Sequence, residues 1–107
     1  MEKEHRLHII QAISRKAKEI MPEGSEIILF GSQARGDARP GSDWDVLVLL
    51  DKDKVTSKDM DDYSYPLREM GWDNNECINP ILFTKKEWQQ NVASPFHENV
   101  KRDGIKL

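Results

Sequence analysis

Two short stretches determine how this sequence is interpreted: Phe-Gly-Ser-Gln-Ala-Arg-Gly at residues 30–36 and Ser-Asp-Trp-Asp-Val at residues 42–46. The first stretch begins at the last residue of an apolar run, residues 26–30, which predicts a strand that ends at a glycine-serine turn. The second opens an apolar run at residues 44–50, which predicts a central strand covered on both faces. We therefore expect two neighbouring strands that carry their polar residues where the first ends and the second begins.

The aspartates of the second stretch, Asp43 and Asp45, are two positions apart at the start of a strand, so both side chains are expected on one face. The same face continues with Leu47 and Leu49, which belong to the predicted core. Two like charges at the rim of an apolar face repel each other, and a divalent cation removes that penalty. Because Mg²⁺ prefers carboxylate oxygens and completes its shell with water and substrate phosphates, the pair predicts a Mg²⁺ site. The plainer alternative is a polar strand start followed by core.

The glycine-serine turn is the second chemical feature, and it is suited to bind an anion. Gly31 lets the backbone approach a ligand closely, and the turn amides and the Ser32 hydroxyl can donate to phosphate oxygens. Arg35, one helical turn further, offers a fork of donors for the same phosphates. No Gly-Lys-Ser/Thr follows, so this is not a P-loop. Taken alone, Gly31 and Ser32 would be interpreted as an ordinary turn, and the aspartates reverse that interpretation.

The spacing of the two features is characteristic, because ten residues, 33–42, separate Gly31-Ser32 from Asp43-x-Asp45. With a strand before the glycine and an apolar strand after the second aspartate, the pattern resembles the nucleotidyltransferase signature of the DNA polymerase β superfamily. The short chain looks like the minimal nucleotidyltransferases of bacteria and archaea. The resemblance implies the α+β fold of the polymerase β-like nucleotidyltransferases.

The resemblance also implies a reaction. A nucleoside monophosphate would move from an NTP, with ATP as the expected donor, to an acceptor hydroxyl, and pyrophosphate would be released. Gly31 and Ser32 would hold the β- and γ-phosphates, and Asp43 and Asp45 would be the catalytic residues that hold Mg²⁺. The protein would then act by positioning and charge neutralisation at the phosphoryl group.

One position departs from the family pattern. Such enzymes usually carry a third carboxylate on the strand after the second helix, where it helps to hold a second metal or activates the acceptor. The resemblance covers about residues 7–90, and aligning the predicted strand at residues 78–83 to that position places Asn79 there. A neutral amide can coordinate weakly but cannot act as a base, and Glu76 should point to the opposite face. The nucleotide half of the site therefore follows the pattern and the acceptor half does not.

The rest of the chain predicts helices and one further strand. Apolar residues at spacings of three and four predict two long helices, capping residues predict two short ones, and Pro80 argues for an edge position of the third strand. The predicted helices span residues 2–21, residues 57–70, the segment from Thr84 through Trp88, and the segment from Ser94 to Gly104, and the third strand spans residues 78–83. The order α-β-β-α-β-α-α predicts one α+β domain over residues 1–107, with a small mixed sheet and helices packed on one face.

Each long helix has a predicted apolar stripe that should face the core. The members are Leu7, Ile10, Ile13, Ala17 and Ile20 in the first helix, and Met60, Tyr63, Leu67 and Met70 in the second. Pro66 lies inside the second helix and predicts a kink, because proline removes a backbone hydrogen bond. Gly71 fits the position just after the end of that helix.

Length, charge and cysteine content exclude several classes of protein. The 107 residues carry a formal net charge of −3, which argues against binding nucleic acid through bulk charge. The longest apolar run, residues 46–50, is far shorter than the ~18 residues needed to span a bilayer. The start of the chain is charged and leads into no apolar signal region, and Cys77 is the one cysteine. The expected location is the reducing cytoplasm.

Three functions are consistent with the sequence. The first is a Mg²⁺-dependent minimal nucleotidyltransferase, and proteins resembling it are often paired in bacteria with a small all-helical HEPN protein in a toxin–antitoxin module. There the nucleotidyltransferase neutralises its partner by adenylylating a tyrosine or by binding it. The second is a non-catalytic nucleotide-binding antitoxin, which Asn79 favours. The third, a transferase for a small molecule such as an aminoglycoside, is weaker because those enzymes usually add a helical domain. The acceptor, the base preference and any homo-oligomer stay open.

Overall fold

The computed structural model describes residues 3–107, and their helices and strands follow the predicted order. A helical turn follows the first strand, as expected, and a short strand at the C-terminal end was not predicted. The elements are α1 (Lys3–Ile20), β1 (Glu26–Phe30), α2 (Ser32–Arg35), β2 (Trp44–Leu50), α3 (Ser57–Asp59), a π-helical segment (Met60–Ser64), α4 (Tyr65–Asp73), β3 (Ile78–Thr84), α5 (Lys85–Gln90), α6 (Pro95–Asp103) and β4 (Ile105–Lys106).

The four strands form one mixed sheet in the order β3-β2-β1-β4. β1 pairs antiparallel with β2 and β4, whereas β2 and β3 are parallel, and β2 is central as predicted. β3 lies at the edge of the sheet, as Pro80 predicted. An edge strand has only one neighbour, so the missing N–H of Pro80 is tolerated there. Because β1 ends where β2 and β3 begin, the polar residues of all three strands meet at one end of the sheet.

Apolar side chains cover both faces of the sheet. On one face the alternate β2 residues Trp44, Val46 and Val48 pack with α1 and α4. On the other face Leu47 and Leu49 pack against Val100 of α6, with a rim of partly buried aromatic residues. The rim consists of Phe30, Phe83, Trp88 and Phe96. The predicted α+β class is confirmed. The prediction that all helices pack on one face is wrong, because β2 is apolar on both faces: α1 and α4 cover one face of the sheet, and α6 covers the other.

Helix α1 was predicted over residues 2–21 and is observed over Lys3–Ile20, while residue 2 lies outside the described part of the chain. Its buried residues are Ile9, Ile13 and Ala17, whereas Leu7, predicted to be buried, is 54% exposed. Six residues of α-helix turn through about 600°, so Leu7 lies about 120° from Ile13 and cannot share its stripe. No helix within residues 3–107 is long and apolar enough to cross a membrane.

The second long helix is continuous from α3 through α4 but widens into a π-helical segment just before Pro66. The predicted kink at Pro66 stays a prediction, and Pro66 lies in the first turn of α4, directly after the π-helical segment. Two details differ from expectation: Met60 is 42% exposed, because the wider turn shifts the register of the stripe, and Gly71 lies inside α4. A Cβ on Gly71 would come within 2.9 Å of Cγ1 of Ile78, so this glycine allows α4 to pack closely on β3.

Candidate active site

The glycine-serine turn lies directly against the second aspartate. Phe30, the last residue of β1, pairs with Asp45 in the antiparallel register, so Gly31 lies beside that carboxylate. Gly31 has a φ of 76°, and a Cβ at this position would lie 2.6 Å from Oδ2 of Asp45. Both observations require glycine: the conformation is left-handed and the space is filled by a carboxylate oxygen.

The turn continues into the single helical turn α2. The backbone amides of Ala34 and Arg35 both donate to the carbonyl oxygen of Gly31 at 3.1 Å. The two amides before them, those of Ser32 and Gln33, have no carbonyl partner within such a turn. They and the Ser32 hydroxyl are the donors that the sequence predicted for an anion.

Two residues that the sequence analysis did not single out, Arg6 and Gln33, form hydrogen bonds that stabilise this turn. Gln33 is 1% exposed, and its Nε2 donates to the carbonyl oxygen of Ser42, next to Asp43, at 3.4 Å. Arg6 of α1 donates through Nη2 and Nε to the carbonyl oxygen of Gln33 at 2.7 and 3.2 Å. These bonds connect α1, the turn and the start of β2, and no local pattern could have predicted them because the partners are far apart in sequence.

Asn79 occupies the position beside Asp45 on the neighbouring strand. The parallel register pairs Asp45 with Asn79, and Nδ2 of Asn79 donates to Oδ1 of Asp45 at 3.2 Å. The alignment that placed Asn79 next to the carboxylate pair is therefore confirmed, and the residue there is an amide. Nε2 of His5 donates a hydrogen bond to Oε1 of Glu76 at 3.0 Å, which joins Glu76 to α1.

The first aspartate, Asp43, precedes β2 and is exposed. Its surroundings include Cys77, whose carbonyl oxygen accepts a hydrogen bond from the amide of Trp44 at 2.8 Å. Partial desolvation raises the pKa of the Cys77 thiol, and the nearby Asp43 carboxylate raises it further. The charge of Asp45 also raises that pKa, and the charge of Arg68 lowers it. Cys77 is therefore a neutral neighbour of the acidic pair at pH 7.

Arg68 of α4 is the third residue that the sequence analysis missed. It is partly buried, and its Nη2 donates to Oδ1 of Asn79 at 3.4 Å while its Nε donates to the Ser64 hydroxyl at 3.4 Å. Within residues 3–107, no carboxylate oxygen lies within 4.0 Å of its guanidinium nitrogens. The positively charged guanidinium of Arg68 therefore lies next to Asn79, on the side away from Asp45.

The Arg35 side chain is paired with two carboxylates. Its Nε donates to Oδ2 of Asp37 at 3.1 Å, and its Nη1 lies 3.6 Å from Oδ2 of Asp103. The hydrogen bond to Asp37 raises the pKa of the Arg35 guanidinium. The side chain is 44% exposed, and its Nη2 has no hydrogen bond within residues 3–107.

The donor set of the site suits one class of metal ion. Among the described residues, no group of three or more His, Cys, Asp or Glu side chains is close enough together to hold a metal ion. The carboxylates of Asp43 and Asp45 remain, beside a turn suited to phosphates. Two carboxylates, with water and substrate phosphates as the other ligands, fit Mg²⁺ better than a metal that needs a complete protein cage.

The fold and this end of the sheet define a nucleotidyltransferase domain. A family model described as "Nucleotidyltransferase domain" matches residues 10–103, so the chain belongs to that family, and the predicted resemblance to the minimal nucleotidyltransferases is confirmed. The comparison with curated proteins gives no match.

Two solved structures show the same fold. One is a chain of a toxin–antitoxin crystal structure with AMP-PNP, with a TM-score of 0.61 and 18% identity over 92% of this chain and 69% of that chain. The other is a Sulfolobus solfataricus protein assigned as a nucleotidyltransferase, with a TM-score of 0.58 and 19% identity over 96% of this chain and 82% of that chain. At these identities the likeness concerns the fold alone.

Proposed function

We propose that this chain is a Mg²⁺-dependent nucleotidyltransferase that moves AMP from ATP to a hydroxyl of a partner protein. The observation that carries the proposal is the contact between the turn and the carboxylate: a Cβ on Gly31 would lie 2.6 Å from Oδ2 of Asp45. Because glycine permits this approach, a phosphate-binding turn and a metal-binding carboxylate share one site. In this proposal Gly31, Ser32 and Arg35 bind the nucleotide, and Asp43 and Asp45 are the catalytic residues.

The proposed reaction is a phosphoryl transfer in which the protein mainly positions the reactants. The acceptor oxygen forms a bond to the α-phosphorus of ATP, the bond from that phosphorus to the bridging oxygen breaks, and pyrophosphate leaves with the electron pair. The hydroxyl proton passes to solvent. Ser32 and the turn amides hold the leaving phosphates, and Asp43 and Asp45 are the residues that would hold Mg²⁺. When bound, Mg²⁺ would neutralise the charge of the transferring group.

We propose a small all-helical HEPN protein as the partner, with a tyrosine as its acceptor. Two observations support a protein acceptor. Asn79 lies beside Asp45, where a carboxylate could have activated a small acceptor. A protein acceptor can instead be positioned by its own contacts with this chain. One structural neighbour belongs to a toxin–antitoxin complex. With one cysteine in the chain, we propose the reducing cytoplasm as the location.

The test is a transfer assay with ATP labelled at the α-phosphate. The chain is incubated with a cognate HEPN protein in Mg²⁺ or in EDTA, and label on the partner is measured. We expect Mg²⁺-dependent labelling that is lost in Asp45→Asn and kept in Asp53→Asn, an exposed aspartate beyond the far end of β2. Absence of label with a partner that forms a stable complex would contradict transfer.

The second candidate is a nucleotide-binding antitoxin without turnover. The observation that favours it is the Asn79 amide, which donates to Asp45 at 3.2 Å and cannot serve as a base. This candidate predicts that Mg²⁺-ATP binds and that the partner is neutralised in stoichiometric complex without label. Neutralisation that survives Asp45→Asn would therefore favour binding over transfer.

A further inference from the structure

A chain of two hydrogen bonds joins α4 to the acidic pair. Arg68 donates to the amide oxygen of Asn79 at 3.4 Å, and the amide nitrogen of Asn79 donates to Oδ1 of Asp45 at 3.2 Å. The guanidinium can only donate, and the carboxylate of Asp45 can only accept. The amide between them has one orientation that satisfies both neighbours.

The orientation decides what the site offers to a cation. An asparagine amide that turned its oxygen toward the carboxylates would add a third oxygen ligand. With Arg68 behind it, the oxygen of Asn79 faces the guanidinium and the N–H faces Asp45. The positive charge of Arg68 also repels any divalent cation held by Asp43 and Asp45. The amide orientation and this charge would therefore both weaken cation binding.

We infer that Arg68 is a positioning residue: it holds the Asn79 amide with its N–H toward Asp45 and so limits the site to two carboxylates with no third oxygen ligand. This inference rests on the proposed function, because it concerns the same site. It assigns to Arg68 a control of cation affinity that neither the motif nor the family match describes. Arg68 acts through Asn79 and touches neither nucleotide nor acceptor in this role.

The experiment measures Mn²⁺ binding to the full chain by electron paramagnetic resonance, without nucleotide. Mn²⁺ takes the same oxygen ligands as Mg²⁺ and is directly observable. The variants are Arg68→Met, which removes the charge and the donors, Arg68→Lys, which keeps the charge, and Arg15→Met as the control. Arg15 is exposed on α1, and its side chain forms no hydrogen bond within residues 3–107.

We expect Arg68→Met to tighten Mn²⁺ binding by about 3- to 10-fold, the effect of one partly screened charge and one freed ligand. Arg68→Lys and Arg15→Met should stay within about twofold of the wild type, by the same screening argument. Unchanged or weaker binding in Arg68→Met would overturn the inference. Mn²⁺ binding that is absent, or that Asp45→Asn leaves intact, would overturn the proposed metal site and this inference together.

A second measurement needs no variant at residue 68. Hydrogen exchange of the Asn79 side-chain amide is compared by NMR with that of Asn75, which is exposed and has no side-chain hydrogen bond in the described chain. Donation to Asp45 should slow exchange at Asn79 by up to about tenfold relative to Asn75. Equal exchange at the two amides would overturn the inference even if Arg68→Met did not fold.

Discussion

Gly31 and Gly36 flank the same helical turn and both have a positive φ, 76° and 86°, but their ψ angles differ, −160° and 11°. Their surroundings differ, because a Cβ at residue 31 would meet Oδ2 of Asp45 at 2.6 Å while a Cβ at residue 36 would meet nothing within 4 Å. The first glycine is therefore required by its conformation and by the carboxylate, and the second by conformation only. The contact with Asp45 therefore distinguishes Gly31 from Gly36.

Replacing each glycine by alanine tests this distinction. Gly36→Ala should lower the free energy of unfolding by about 1–2 kcal/mol, the usual cost of a left-handed non-glycine residue. Gly31→Ala should lower it by more, because φ 76° with ψ −160° lies in a region that is essentially limited to glycine. Gly31→Ala should in addition abolish Mg²⁺-ATP binding, because the new methyl group displaces Asp45, whereas Gly36→Ala should keep it. Urea unfolding and calorimetry measure the two properties. Equal nucleotide binding by both variants would show that the Asp45 contact is not part of a nucleotide site.

In the proposed site the Ser32 hydroxyl donates a hydrogen bond to a phosphate of the nucleotide. Ser32→Ala should weaken ATP binding by about 1–2 kcal/mol, the range for a hydrogen bond to a charged group, and should weaken AMP binding less. Ser25, which precedes β1 at the opposite end of that strand, provides the matched control. Calorimetric titration of both variants decides the point, and a loss of the same size in Ser25→Ala would remove Ser32 from the nucleotide site.

At the level of single elements, α3 begins with a capping box that also holds an ion pair. Asp59 is 4% exposed, accepts from the Thr56 amide at 2.8 Å and pairs with Nζ of Lys52 at 2.8 Å. The hydrogen bond from Lys52 is the main cause that lowers the pKa of Asp59, and the Thr56 amide contributes in the same direction. This helix start is therefore stabilised by a charge that acid removes.

Because the pKa of Asp59 is lower in the folded chain than in the unfolded chain, its charge stabilises the fold above the unfolded pKa of about 4 and loses that effect as the pH falls further. Asp59→Asn should be about 1 kcal/mol less stable than the wild type at pH 7, since asparagine keeps the cap but not the charge. The difference should shrink below about pH 4. Urea unfolding of both proteins at pH 7, 5 and 3 measures it, and a constant difference would contradict the assignment.

Elements with a strong local signal were predicted with the observed bounds, and elements made by distant contacts were not. β1 and β2 match the prediction because their apolar runs end at glycine and aspartate, and the Thr84–Glu87 capping box starts α5 as expected. β4 was missed because two exposed residues carry no alternation. In the second long helix Tyr63, Leu67 and Met70 pack in the core as predicted, and only Met60, in the π-helical segment, does not.

In the whole molecule, one part of the proposed site is formed by residues close in sequence and the other by residues far apart in sequence. The nucleotide half lies within residues 31–45, so the spacing of its residues in sequence nearly fixes their contact in space. The other half joins β3 to α4 through Asn79 and Arg68, and α1 reaches the turn through Arg6. These contacts depend on how helices lie on the sheet. A single sequence predicted Asn79 through its strand and gave no signal for the two arginines.

The central claim is that Asp43 and Asp45, with the Gly31–Ser32 turn, form a Mg²⁺-nucleotide site. The direct measurement is calorimetric titration of Mg²⁺-ATP into the wild type, Asp43→Asn and Asp45→Asn. A second Asp-x-Asp sequence at residues 51–53, exposed beyond the other end of β2, supplies Asp53→Asn as the control.

We expect the wild type and Asp53→Asn to bind Mg²⁺-ATP equally, and Asp43→Asn and Asp45→Asn to lose binding. The two inactive variants should stay folded, with an unchanged or slightly raised melting temperature, because removing one of two like charges relieves their repulsion. Folded Asp43→Asn and Asp45→Asn proteins that bind Mg²⁺-ATP as tightly as the wild type would contradict the central claim.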